Sequence, residues 1–174
     1  AMYRGQVRWV ELAASLEERT DPRFGIAVPR AERRQALREL ATIYLEKLAR
    51  PHDAIDAFER LRELEPADTA IVGTLADLYT KLGRWSKVVE MHQRLADLGE
   101  GTSARRSQLI VAGVFERELE LNDRAIETYE DILASWPDDE TANNELIRLY
   151  EDKGLWRRLV DLLARAYART PAAE

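Results

Sequence analysis

Shifted by 71 residues, this sequence falls on itself, and that self-similarity limits the fold more than any other feature. Tyr44 meets Phe115, Ala54 meets Ala125, Ile55 meets Ile126, Phe58 meets Tyr129, Glu59 meets Glu130 and Pro66 meets Pro137. The second half follows, with Leu75 on Leu146, Leu78 on Leu149, Tyr79 on Tyr150, Gly83 on Gly154, Trp85 on Trp156 and Val89 on Val160. Each unit halves again, because Tyr44 and Tyr79 stand 35 positions apart, as do Phe115 and Tyr150. Repeats of this length are stacked supersecondary units, each too small to bury its own apolar face.

The unit is helical. Between Arg30 and Ala49 the apolar residues fall at Leu37, Leu40, Ala41, Ile43, Tyr44 and Leu48, one face at a period near 3.6. From Asp53 the same pattern reads Ala54, Ile55, Phe58, Leu61 and Leu64, and Pro66 then stops the helix. Asp68 with Thr69, Thr102 with Ser103, and Asn122 with Asp123 are expected to cap the helices that follow. Gly83 and Gly154 suit the left-handed residue that ends a helix. No window alternates with period two long enough to make a sheet. Ala, Leu, Glu and Arg dominate while aromatics are only 7%, which fits helices throughout. The expectation is about nine helices, the first near residues 3–18.

The residues at these positions resemble the tetratricopeptide repeat family. Its pattern of packing residues is met by Leu37, Leu40, Ala41, Tyr44, Ala54, Phe58, Leu61 and Pro66, and again by Val111, Ala112, Phe115, Ala125, Tyr129, Ile132 and Pro137. Both carry one extra residue in the turn. The second and fourth pairs depart further, with Val88 or Leu159 at the small position and His92 or Leu163 at the aromatic one. The resemblance implies an all-α fold, a right-handed superhelical solenoid of antiparallel helix pairs. It divides residues 31–174 into four pairs (about 34–68, 69–104, 105–139 and 140–173) within one continuous domain. Residues 1–30 read as a half repeat and a linker with Pro22, Gly25 and Pro29, because Arg8-Trp9-Val10-Glu11-Leu12 echoes Arg84-Trp85-Ser86-Lys87-Val88. Pro171 closes the last pair. With no polar capping helix at either end, a fragment of a longer array is expected, and Ala1 ahead of Met2 looks like the remnant of a cleaved tag.

Chemistry is scarce. With no cysteine there is no thiolate nucleophile, disulfide or cysteine-held zinc. His52 and His92 are the two histidines, and neither sits in a motif that pairs a nucleophile with a base. The acids Asp138, Asp139 and Glu140 lack the glycine-centred loop of a calcium site and instead complement a helix N-terminus. No cofactor and no metal are expected, and the chain is not expected to be an enzyme. A net charge of −6 argues against nucleic acid, whose binders neutralise phosphate with a basic excess. The longest apolar run, Leu109–Phe115, is far short of the ~20 residues that span a bilayer, and no signal peptide opens the chain. Both point to a cytoplasmic protein. Arginine greatly outnumbers lysine, a bias expected of a GC-rich bacterial genome.

What remains is interaction. The resemblance implies that the first helix of each pair lines a concave groove holding a peptide or helix of a protein partner. Arg38, Thr42, Asp77, Arg106, Arg117, Asn144 and Arg148 map onto groove positions, and the arginines offer forks for carboxylates. Where some family members carry a clamp asparagine for acidic chaperone tails, this chain has Glu39, Thr74, Ile110 and Glu145, which disfavours that ligand. Trp9, Trp85 and Trp156 share one repeat position and are expected in the core; Trp136 breaks the register and is expected partly exposed. A second expectation is self-assembly, a homodimer through the array ends, because the last helix is apolar around much of its circumference. Trp156, Leu159, Leu163 and Tyr167 are the residues to carry it.

Overall fold

The computed structural model of the chain describes residues 2–21, 23 and 28–169, which form helices joined by short turns with no strand among them. Two compact units divide the chain, Ala1–Arg84 and Trp85–Glu174. The first holds α1 (Met2–Thr20), α2 (Arg30–Thr42), a wide helical turn at Ile43–Lys47, α3 (Pro51–Leu64) and α4 (Thr69–Lys81). The second holds α5 (Trp85–Leu98), α6 (Gly101–Arg117), α7 (Asn122–Ser135), α8 (Glu140–Asp152) and α9 (Trp156–Arg169). Nine α-helices are therefore present among the described residues, and none is long and apolar enough to cross a membrane. Pro22, Gly25 and Pro171, assigned above to connections, lie outside the described residues.

Local chemistry explains the boundaries. Pro51 opens α3, where its missing N–H costs nothing. Asp68 caps α4 by accepting from the N–H groups of Ala70 (2.9 Å) and Ile71 (3.3 Å), and Asp139 caps α8 by accepting from Ala142 (2.8 Å). Gly83 (φ 63°) and Gly154 (φ 66°) turn left-handed after α4 and α8. The next residue then bonds back, Arg84 N–H to the Tyr79 carbonyl (2.9 Å) and Leu155 N–H to that of Tyr150 (2.8 Å). The extra residue of the first and third pairs is taken up as a wide turn. Leu48 N–H reaches the Ile43 carbonyl (3.0 Å) and Leu119 N–H that of Val114 (3.1 Å), each followed by a left-handed residue, Ala49 (φ 51°) or Glu120 (φ 55°).

Two expected caps are corrected. Helix α6 starts at Gly101, whose φ of 53° lets the chain turn one residue before Thr102, so Ser103 lies inside the helix and its hydroxyl donates to the Glu100 carbonyl (2.9 Å). Likewise Asn122 and Asp123 lie within the first turn of α7, because Leu121 N–H is drawn to the Phe115 carbonyl (2.7 Å) and the helix begins directly afterwards. There Asp123 complements the helix N-terminus and pairs with Lys153 (2.5 Å).

In the first unit α1 packs on α2 and its wide turn, α2 on α3, and α3 on α4. Leu37, Leu40, Ala41, Ala54, Leu61, Leu75 and Ala76 are buried there. In the second unit α5 through α9 pack in succession around Val111, Ala112, Ala125, Ile132, Ala142, Leu146 and Leu162. Ala54 and Ala125, repeat equivalents, are both fully buried, as close helix approach requires.

The expectation of three core tryptophans is corrected. Trp156 is 63% exposed and Trp9 36%, while Trp85 is half-buried. Trp85 and Trp156 are the first residues of their helices, and helical side chains lean toward the N-terminus, which carries these indoles away from the buried middle of their own helices. Trp136 is half-buried.

Candidate functional site

Three tyrosines bind glutamates of the helix that precedes their own. Tyr44 donates to Glu17 (3.2 Å), Tyr79 to Glu59 (2.7 Å) and Tyr150 to Glu130. Burial raises the Tyr44 and Tyr150 phenols first, with the carboxylates adding to it, and Tyr44 is pushed up to about 12. These bonds tie the wide turn after α2 to α1, α4 to α3 and α8 to α7, and the sequence reading missed them. The signal was present: Glu59 with Glu130 and Tyr79 with Tyr150 are identities of the 71-residue repeat.

In the first unit Arg38 and Thr42 stand on α2 and Asp77 on α4, all exposed. The Arg38 guanidinium already binds Glu65 (2.7 Å) and Asp68 (2.9 Å), and Thr42 turns its hydroxyl to the Arg38 carbonyl (2.9 Å). Among α1, α2 and α3 lies a cleft of about 490 Å³ lined by Glu17, Thr20, Arg33, Asp56, Arg60 and Glu63 among others. Arg60 spans it, bound to Glu17 (2.8 Å) and Thr20 (2.7 Å). At its rim Arg23 holds the Asp21 carboxyl down to about 2 by direct hydrogen bonds.

In the second unit Arg106 and Arg117 stand on α6, and Asn144 and Arg148 on α8. Arg148 is ringed by carboxylates: Glu116 of α6, Glu145 (2.7 Å) and Asp152 (3.4 Å). Glu145 and then Glu116 raise its guanidinium above the ordinary arginine value. That cluster links the faces of α6 and α8, and burial together with Glu145 and Glu116 pushes the neighbouring Tyr129 phenol up to about 12. Arg117 folds back along α6, its guanidinium lying where a side chain at Gly113 would stand. Arg106 and Asn144 are exposed and make no ion pair among the described residues. A further pair escaped the sequence reading: the Arg105 Nε lies 2.7 Å from the Asp139 carboxylate, whose side chain is fully buried.

On α9, Trp156, Leu163 and Tyr167 are exposed, but Leu159 is 8% exposed and faces inward with Leu162. Four residues named as one patch therefore divide between two faces. Leu159 sits 60° from Trp156 on the helical wheel by the ~100° advance per residue, on the side that α8 covers. Among the described residues no group of three or more His, Asp or Glu side chains clusters to hold a metal ion.

The comparisons with known proteins agree with the fold. A tetratricopeptide repeat model matches residues 73–105, from α4 through α5 to the start of α6. That span is the second pair, one of the two whose packing residues depart most from the pattern. No curated protein matches the sequence. One crystal structure of MamA is similar over 78% of this chain and 77% of its own, at 21% identity and a TM-score of 0.52. Another is similar over 98% and 97%, at 20% identity and a TM-score of 0.51. At that identity the likeness establishes a shared fold. The chain thus carries the tetratricopeptide repeat, within an all-α fold of successive helix pairs that it shares with MamA.

Proposed function

We propose that this chain is a non-catalytic interaction scaffold whose α6 and α8 face holds an acidic peptide or helix of a protein partner. The observation that carries the reading is the division among its arginines. Arg38 and Arg148 are occupied by the chain's own carboxylates, whereas the exposed Arg106 has none among the described residues and Arg117 lies along its own helix. A guanidinium without an internal partner binds an incoming carboxylate without first breaking an ion pair. Arg106 and Arg117 are therefore the grip, and Arg148 fixes α8 against α6. Titrating the chain with a library of acidic peptides tests this. Arg106→Glu with Arg117→Glu should weaken the best ligand by at least about tenfold, and added salt should weaken it further. Equal affinity in that variant would remove the groove from consideration.

The exposure of Trp156, Leu163 and Tyr167 favours a second reading, self-assembly through the terminal helices. A mass that rises with protein concentration would place it ahead of the first.

A further inference from the structure

Two clefts of this molecule occupy one place in the repeat. The first, among α1, α2 and α3, is lined in part by Glu17, Thr20, Asp21, Leu37 and Arg60. The second, of about 170 Å³, lies among α5, α6 and α7. With Trp9 laid on Trp85 and Tyr44 on Phe115, the same five positions line it as Gln93, Ala96, Asp97, Gln108 and Asp131.

The charge differs between them. In the first cleft Arg60 bridges Glu17 (2.8 Å) and Thr20 (2.7 Å), so the cation comes from the chain itself, and Glu17 also accepts from Tyr44. Glutamate, tyrosine and arginine recur at these positions as Glu59, Tyr79 and Arg94, and again as Glu130, Tyr150 and Arg165. At the seam of α5, α6 and α7 the set reads Gln93, Phe115 and Asp131 instead. A carboxylate stands where the other three pairs carry arginine.

The second cavity is rich in acceptors. Asp97 and Asp131 are exposed and make no hydrogen bond or ion pair among the described residues. The side-chain oxygen of Gln108 is closed to solvent and meets no donor. Thr128, also in the lining, gives its proton to the Arg124 carbonyl (2.8 Å), so its oxygen is left to accept. No basic side chain lines the cavity among the described residues. A buried acceptor without a donor is costly, and a cleft lined by one sign of charge draws in the other. Charge on the larger scale agrees. The first unit carries 14 basic and 14 acidic residues and the second 12 and 18, so the whole net charge of −6 belongs to the unit with this cavity.

We infer that the cavity among α5, α6 and α7 seats the guanidinium of an arginine side chain presented by a protein partner, in the place that Arg60 fills in the first cleft. The size suits one side chain, since a cavity of about 150 Å³ holds a benzene-sized molecule. Guanidinium carries donors only, in a planar fork, and answers two carboxylates and an amide oxygen better than an ammonium does. This site is distinct from the grip of Arg106 and Arg117, and it selects the opposite charge.

The probe is a blocked five-residue peptide, arginine flanked by glycines, titrated into the isotope-labelled full chain. Amide signals around Gln93, Asp97, Gln108 and Asp131 should move and saturate with a Kd of about 1 mM or tighter, the strength one side chain can supply. Citrulline in place of arginine keeps the shape without the charge and should bind at least about tenfold more weakly. Asp97→Asn and Asp131→Asn should each weaken binding at least about fivefold, and added salt should weaken it further. Both side chains are exposed, so the thermal melts of these variants should match the parent. Gln93→Glu with Asp131→Arg rebuilds the bridge of the first cleft; it should raise the melting temperature and abolish binding. Several results would overturn the assignment. They are no saturable shift up to about 10 mM, equal binding of the citrulline peptide, or binding that Asp131→Asn leaves unchanged. Binding of blocked arginine alone, where the peptide does not bind, would move the site to a free guanidino compound and overturn the protein partner.

Discussion

Arg148 illustrates how a charge can be plainly present and yet unavailable. A side chain ringed by Glu116, Glu145 and Asp152 has little left for a ligand, and its removal matters for folding instead. Arg148→Ala should lower unfolding free energy by about 1 kcal/mol in urea, a half-exposed network outweighing one surface pair. Asp139 is the stronger case, since its buried carboxylate caps α8 and meets Arg105. Asp139→Ala should cost about 2 kcal/mol or more, against about 1 for Asp68→Ala at the equivalent, more exposed cap. The tyrosines set an alkaline limit. The folded state holds Tyr44 and Tyr129 protonated up to about 12, whereas an unfolded chain releases these protons near the ordinary value of 10. Their stabilisation is complete below pH 10 and is lost between 10 and 12, because there the unfolded chain binds fewer protons than the folded one. Absorbance titration of the phenols alongside melts from pH 9 to 12 would read both effects, and a fall in stability beginning well below 10 would exclude this cause.

At the scale of the helix, left-handed residues allow a test with opposite signs. Gly83 and Gly154 use glycine's freedom, whereas Ala49 and Glu120 hold similar backbone angles at a cost. Gly83→Ala and Gly154→Ala should each destabilise by about 1 kcal/mol, and Ala49→Gly and Glu120→Gly should stabilise by about 0.5–1. Elements of this kind were legible in the sequence because their causes are local. Apolar spacing located α2 and α3, Pro66 and Pro137 ended helices, and Gly83 and Gly154 marked the tight ends. What escaped was the direction of side chains at helix ends and the pairing between helices. The tryptophans share a repeat position, but sharing a position does not say that it is inside. Leu159 looked like part of a patch because a linear reading of α9 cannot tell the side α8 covers from the open one. The arginines named for a groove lie on helices α2, α6 and α8, yet no sequence pattern announced that carboxylates from other helices and turns would occupy two of them.

For the molecule as a whole, charge and open surface act against each other. A net charge of −6 disfavours self-contact, while the exposed Trp156, Val160, Leu163 and Tyr167 of α9 favour it, the second of the two proposed readings. Light scattering should hold near 20.0 kDa from low to high micromolar protein at neutral pH. Association should appear as pH nears the isoelectric value of about 5.2, and Leu163→Glu should suppress it. The tyrosine–glutamate bonds carry a last implication, for anyone who would lengthen or shorten this chain by cut and paste. A 71-residue block carries Glu59 with Tyr79 to Glu130 with Tyr150, and so its copies join at matched seams. A 35-residue block does not: splicing α6 after α3 would set Phe115 against Glu59 and strand a carboxylate with no phenol to receive it. The smallest interchangeable part of this protein is two helix pairs, not one.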